Sequence, residues 1–132
     1  MTLYRALQPK DPVLTDGSDQ RLLAEITQSQ HFFLFGLFET EYLLASTYVN
    51  IIPNLTRSAS PYAVIENVIT KPSLQNTGLG RELMACTLSF IWERGCYKAM
   101  LMTGSKKEST HAFYRACGFN GTAKTGYITY PG

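Results

Sequence analysis

Apolar positions along this chain follow two periods. Leu22, Leu23 and Ile26 recur at i, i+1 and i+4 on a stretch opening at Ser18 or Asp19 and ending near Gln28. That spacing predicts a helix of about three turns whose stripe lies on a sheet. His31-Phe32-Phe33-Leu34-Phe35-Gly36-Leu37-Phe38 is almost wholly apolar, which suits a strand covered on both faces and marks it as the central-strand candidate. Glu39-Thr40-Glu41 breaks it from Tyr42 to Ile52, a second β-rich run ended by Pro53, where a ladder donor is lost. The two runs predict a hairpin.

Further on, Asn54 to Pro61 is loop-like, and Tyr62 to Thr70 is a strand whose apolar pattern is interrupted by Glu66-Asn67. From Leu79 to Arg94, Leu83, Met84, Leu88 and Ile91 share one helical face, and Gly95 is the expected stop. Ala99 to Met102 is a short strand, and Ser109 or Thr110 opens a helix through Ala116 that Gly118 closes. Tyr4 to Leu7 is expected as a short edge strand, and Gly126 to Tyr130 alternates weakly as a last one. The order β, α, β, β, β, α, β, α, β predicts an α/β fold in which helices pack on a mixed sheet.

Composition narrows the classes. With 132 residues, 45% hydrophobic, one domain over residues 1–132 is expected. A formal charge of +2 with scattered basic residues argues against a nucleic-acid surface. Cys86, Cys96 and Cys117 form no C-x-x-C pair, so neither a disulfide framework nor a metal site is expected. No leader pattern or long apolar run is present, so a cytoplasmic protein without membrane association is expected. Asn54-Leu55-Thr56 and Asn120-Gly121-Thr122 then mark loops, since glycan acceptors require secretion.

Candidate chemistry centres on Gln75-Asn76-Thr77-Gly78-Leu79-Gly80-Arg81, which joins a strand to a helix. Two residues without Cβ atoms let the backbone approach a ligand and aim successive N–H groups at it, where the helix end adds about half a positive charge. A pyrophosphate suits such a nest; a glycine turn serving only close packing is the plain alternative. Neither nucleotide fingerprint fits, because G-x-x-x-x-G-K-[ST] is absent and Leu83 occupies the third glycine of G-x-G-x-x-G.

With Gln75-x-x-Gly78-x-Gly80 preceded by Ile65-Glu66-Asn67-Val68-Ile69 and followed by Phe113-Tyr114-Arg115-Ala116-Cys117-Gly118-Phe119, the chain resembles the GNAT N-acetyltransferase superfamily. Ile65-Glu66-Asn67-Val68 and Gly95-Cys96-Tyr97-Lys98 are most similar to glucosamine-6-phosphate N-acetyltransferases. The resemblance implies a mostly antiparallel central sheet flanked by helices, with splayed central strands. It implies acetyl-CoA as cosubstrate, its pantetheine arm on the backbone of Val68, Ile69 and Thr70, and its pyrophosphate at Gln75 to Arg81. Gln75 replaces the more common arginine, and Lys107 stands where an asparagine often contacts the cofactor. One clear N-terminal helix, rather than two, implies a reduced acceptor-site lid. A homodimer is common in the family, and the aromatic strands permit one.

The implied reaction is acetyl transfer to a primary amine of a small molecule. Glu66 is the candidate base or amine anchor, because a carboxylate inside a buried strand would have its pKa raised toward a useful range; a salt-bridged or solvent-facing carboxylate is the alternative. Tyr114 is the candidate general acid toward the departing thiolate, or else an aromatic packing against Phe113. A backbone N–H near Val68 or Ile69 is the candidate oxyanion donor. Arg57 is a candidate contact for an acceptor phosphate. Cys96 or Cys117 as an acyl-carrying thiolate lacks a His-based activating pattern. A protein or peptide N-acetyltransferase and a noncatalytic acyl-CoA-binding module are the competing functions.

Overall fold

In the computed structural model, residues 2–132 are described. They form two compact units, one ending at Leu101 and one spanning Met102–Gly132.

The first unit is a four-stranded sheet with helices on both faces. Its elements are α1 (Thr2–Leu7), α2 (Ser18–Gln28), β1 (Phe32–Glu39), β2 (Tyr42–Ile52), β3 (Tyr62–Thr70), α3 (Leu79–Glu93) and β4 (Ala99–Met100). Short 3-10 turns occupy Arg57–Ala59 and Pro72–Leu74. Strand order is β1-β2-β3-β4; β1, β2 and β3 run antiparallel, and β4 joins β3 in parallel. The expected hairpin is present, closed by Thr40-Glu41 with Glu39 opposite Tyr42.

The core lies on β2, where Ala45 and Val49 have no exposed surface, and continues into Ile65, Met84 and Ile91. Alternation along β2 sends Thr47 to the α3 face, where its hydroxyl meets that of Thr87 at 2.9 Å. Thr87 also donates to the Leu83 carbonyl at 2.8 Å, so a buried polar pair is satisfied within the sheet–helix seam. On that face Phe90 meets Phe33 and Phe35 edge-on, with ring centres 4.8 and 4.9 Å away. Ser46 and Tyr48 point to the other face, toward α1 and α2. There the half-buried Tyr4 hydroxyl is held with its pKa raised by burial, an effect partly offset by its hydrogen bond to Ser46.

Four expectations change. Residues Tyr4 to Leu7 belong to helix α1, not an edge strand: Leu3 is buried, and the Gln8 N–H extends the helical ladder to the Tyr4 carbonyl at 2.9 Å. Two helices therefore precede the sheet, not one. Strand β1 is an edge strand rather than the central one, pairing only with β2. Its apolar run does report two helix-facing sides, α3 on one and α2 on the other, but side-chain pattern carries no information about which edge is hydrogen-bonded. Finally, Gly126 to Tyr130 forms no strand, and Tyr127, Ile128 and Tyr130 are exposed.

Helix α2 ends at Gln28 as expected, but Ser18 and Asp19 are its first helical residues rather than its cap, and Leu22 and Leu23 stay about half exposed (54% and 50%). Its start is set by Gly17 at φ 80°, with the Asp16 carboxylate accepting the Ser18 N–H at 3.0 Å. The Ser18 contacts hold the Asp16 carboxyl below its usual range. Gly95 ends α3 as expected: at φ 79° it lets its own N–H reach the Trp92 carbonyl while the Cys96 N–H reaches that of Ile91, the paired bonds of a Schellman stop.

The second unit contains α4 (Glu108–Ala116) and extended chain. Its N-terminal loop is tied by Ser105, whose backbone carbonyl meets His111 Nε2 at 2.9 Å and whose hydroxyl meets Thr110 at 3.0 Å. Arg115 and Glu108 form an exposed ion pair.

Candidate active site

The site begins with an irregularity in β3. Tyr48 pairs with Glu66, yet Ser46 pairs with Ile69, so one residue of β2 faces two of β3, Asn67 and Val68. The bulge is made by Asn67 at φ 50°, a left-handed conformation that asparagine accepts more readily than most residues. The Glu66-Asn67 interruption in the apolar pattern is thus the sequence mark of this bulge.

Its consequence is a change of aim. The Lys71 N–H bonds the Leu44 carbonyl at 2.7 Å, which by alternation turns the main chain of Ile69 toward β2 and that of Val68 and Thr70 toward β4. Strand β4, however, pairs only with Ala63 and Val64. From Ile65 onward β3 has no strand partner on that side among the described residues. Val68 and Thr70 therefore present main-chain groups to the splayed gap, while Ile69 does not.

Glu66 is exposed, which corrects the expected buried carboxylate: it lies at the bulge, on a stretch of β3 whose apolar pattern is interrupted. Its cross-strand neighbour Tyr48 lies on the same face, at the ~5 Å spacing of opposed residues. Burial first, and then the negative charge of Glu25 on α2, raise the Tyr48 pKa. Sequence reasoning did not single out Tyr48, which shares the β2 run with the polar Ser46, Thr47 and Asn50 and a second phenol, Tyr42.

Beyond Thr70 the chain makes the turn into α3. Asn76 adopts φ 64°, the Thr77 hydroxyl donates to the Leu74 carbonyl, and Gly78 sits at φ 88°, ψ −6° as the residue that starts the helix. No side chain caps α3. The first N–H groups of a 15-residue helix are thus left without a side-chain acceptor, and nothing stands within 4 Å of where a Cβ on Gly78 would lie. An anion fits this cradle. Gln75, Asn76, Thr77 and Arg81 are exposed around it, with Leu79 and Gly80 half-buried.

In the second unit, the motif Phe113-Tyr114 to Gly118-Phe119 has a specific physical role. Gly118 at φ 99° closes α4 through Gly118 N–H to Arg115 O and Phe119 N–H to Tyr114 O, both 3.0 Å. This second Schellman stop brings the Phe119 ring edge-on to Tyr114 at 6.1 Å, with Phe113 at 5.2 Å on its other flank. Tyr114 is half-buried and in edge contact with two aromatics. Lys107 is the residue preceding α4 and offers no side-chain cap.

Two other candidates fare differently. Cys96 is buried and its thiol pKa is pushed up by that burial, the wrong direction for a thiolate nucleophile. Arg57 lies before the start of β3 with its guanidinium 5.5 Å from the Tyr97 ring centre, at the opposite end of the strand from the α3 turn. No helix among the described residues is long and apolar enough to cross a membrane.

The model of the acetyltransferase (GNAT) family matches residues 1–119. An aminoglycoside N(6')-acetyltransferase type 1 of Stenotrophomonas maltophilia is 30% identical over 91 residues, 69% of this chain and 56% of that relative. A glucosamine 6-phosphate N-acetyltransferase of Trypanosoma brucei brucei is 31% identical over 80 residues, 61% of this chain and 52% of that relative. The chain thus spans about half the length of these two relatives. Among solved structures, a "putative acetyltransferase" from Agrobacterium tumefaciens str. C58 superposes with TM-score 0.92 at 36% identity, over 98% of this chain and 90% of that one. With the bulged and splayed β3, the uncapped glycine start of α3 and a family match across nine-tenths of its length, this chain belongs to the acetyltransferase (GNAT) family.

Proposed function

We propose that the chain is an acetyl-CoA-dependent N-acetyltransferase that acetylates a primary amine of a small molecule, working as a single domain over residues 1–132 in the cytoplasm. What carries this is the Gly78 cradle at the head of an uncapped α3, beside a strand whose Val68 and Thr70 main chain faces an open gap. Acetyl-CoA, when bound, supplies the activated thioester. Gln75 to Arg81 hold its pyrophosphate through backbone N–H groups, and Val68 and Thr70 align its pantetheine arm as added edge partners of β3, with Ile69 keeping that strand in register with β2. The Val68 N–H is the oxyanion donor.

Glu66 takes the ammonium proton of the acceptor directly or through water, or anchors the amine. Its exposure favours access by a hydrated cationic acceptor over desolvated base catalysis. Tyr114, fixed by Phe113 and Phe119, donates to the departing sulfur. The acceptor class follows the names of the two relatives: an amino sugar, aminoglycoside or glucosamine phosphate. Tyr48 and Glu25 lie on the Glu66 face of the sheet, and a polyamine sugar would meet two carboxylates there.

The test is acetyl transfer with a panel of aminoglycosides, amino sugar phosphates and peptide amines, read alongside calorimetry with acetyl-CoA. Transfer to the sugars above peptides is expected. Cofactor binding without transfer to any amine would favour a binding module, transfer confined to peptides would favour a protein acetyltransferase, and no cofactor binding would overturn the proposal outright.

A further inference from the structure

The sheet end remote from the α3 turn carries a second concavity, a groove of about 670 Å³ floored by Phe33, Ile51, Pro53 and Pro61. That volume lies within the range of roughly 300–1,000 Å³ found for small-ligand pockets. Its position separates it from the cofactor cradle: Arg94, on its wall, is 16 residues beyond Gly78 along α3 and its cap, about 24 Å at the helical rise. None of the groove's lining residues is Asp or Glu.

Three features of the groove are built rather than incidental. Arg94 holds its guanidinium carbon 4.8 Å from the Phe33 ring centre and 5.0 Å from that of Phe90. The cation is thus fixed against aromatic rings, and its side chain meets no carboxylate or carbonyl among the described residues. Leu55 is fully exposed (100%) on the rim, an apolar side chain with no protein cover. That rim is held in shape by Asn54, whose Nδ2 donates to the carbonyls of Thr56 and Ser60 at 3.1 and 3.2 Å. It encloses Arg57, Ser58 and Ala59 at φ 55°, 58° and 60°, three successive left-handed residues that strain the backbone. Nearby, Arg57 lies over Tyr97, and Lys98 lies 5.0 and 5.2 Å from the Tyr62 and Tyr97 ring centres. Neither cation forms an ion pair among the described residues.

We propose that this groove binds a small organic anion with an apolar body, an aryl- or alkyl-carboxylate, its head on the Arg94 guanidinium and its body against Phe33, Ile51 and Pro53 under Leu55. The site is separate from acetyl transfer and lies on the same rigid helix as the cofactor cradle, at the opposite end.

The experiment titrates the intact protein, saturated with coenzyme A, with 4-phenylbutyrate and with 4-phenylbutanol, which shares the body and lacks the charge. Calorimetry gives the affinities, and amide shifts locate the site. The carboxylate is expected to bind at least tenfold more tightly than the alcohol, as a charge-assisted hydrogen bond gives about 10- to 100-fold, with shifts at Phe33, Ile51 and Leu55. Arg94→Gln should bring the carboxylate down to the level of the alcohol and leave acetyl-CoA affinity unchanged, whereas Leu55→Ser should weaken both probes alike. Equal affinity for the two probes, shifts at Gly78 to Gly80, or no saturable binding at ~1 mM would each overturn the proposal.

Discussion

Substituting Gly78 by alanine separates the two roles a glycine can play at a helix start. At φ 88°, ψ −6° an L-residue is held in the left-handed region, at a cost of about 1–2 kcal/mol. Apart from the adjoining residues, nothing lies within 4 Å of the new Cβ, so no packing penalty adds to that figure. Gly78→Ala should therefore lower stability by about 1–2 kcal/mol, or about 3–5 °C in melting temperature per kcal/mol for a chain of this size. If the pyrophosphate binds at the α3 N–H groups as proposed, a methyl group at Gly78 stands beside it and pushes the anion away from donors that work only at ~3 Å. Losing one or two charge-assisted bonds, each about 1.5–3 kcal/mol, predicts acetyl-CoA affinity lower by at least tenfold. Denaturant unfolding gives the first quantity and calorimetry the second. Gly78→Asn serves as a control for strain, since asparagine tolerates this conformation while still filling the space. If Gly78→Ala loses stability as expected but binds acetyl-CoA as the parent does, the turn is only a turn.

Further outcomes follow from the same geometry. Tyr114→Phe should lower kcat by about 10²–10⁴-fold if the phenol donates a proton, with the fold unchanged by circular dichroism; parental turnover removes the role. Glu66→Gln keeps size and removes the ionisable group: loss of the acidic limb of the pH–rate profile identifies a base, while a raised KM for the amine at parental kcat identifies an anchor. Thr87→Val should cost about 1–3 kcal/mol in denaturant unfolding, because it strands the buried Thr47 hydroxyl, and the Thr47→Val/Thr87→Val pair should cost less than the two single changes summed. Tyr4 and Tyr48 have raised pKa values, so the folded state holds their protons longer than the unfolded chain. Their contribution is complete below the unfolded value near pH 10 and is lost as pH rises through the folded values; Tyr4→Phe and Tyr48→Phe should flatten that alkaline fall in stability.

Much of this fold is written in side-chain periodicity, and the exceptions share a cause. The hairpin of β1 and β2, the end of α2, the Gly95 stop and the end of α4 follow from local pattern and turn chemistry, whereas the caps of both helices, Gly17 and Lys107, fall one to three residues before those expected. Strand β1 shows the limit: its phenylalanines and leucines state that helices cover both faces, but its unpaired edge involves backbone groups, on which side-chain polarity is silent. Residues Tyr4 to Leu7 are too few to distinguish period 2 from period 3.6, and burial of Leu3 with the Tyr4–Ser46 contact decided in favour of helix. For Glu66 the choice between a buried and a solvent-facing carboxylate stayed open for a related reason, since strand propensity favours burial and the pattern does not say where a bulge falls.

In each unit the candidate residues sit beside positions where regular structure is broken. Asn67 turns β3 so that Val68 and Thr70 face a gap instead of a strand, Gly78 opens α3 without a cap, and Gly118 ends α4 so that Phe119 returns onto Tyr114. Each has φ between 50° and 99°, and each redirects a donor or a ring that regular structure would have consumed in its own ladder or left free to rotate. A ladder bond once made cannot also bind a ligand, so the chemistry must sit where ladders fail. In Gly118 this has a measurable form. Gly118→Ala should destabilise the α4 end by about 1 kcal/mol, and because it loosens Tyr114 rather than removing it, kcat should fall by less than in Tyr114→Phe while acetyl-CoA affinity stays at the parental value. An affinity loss as large as that of Gly78→Ala would mean that Gly118 supports the cofactor site instead of the phenol.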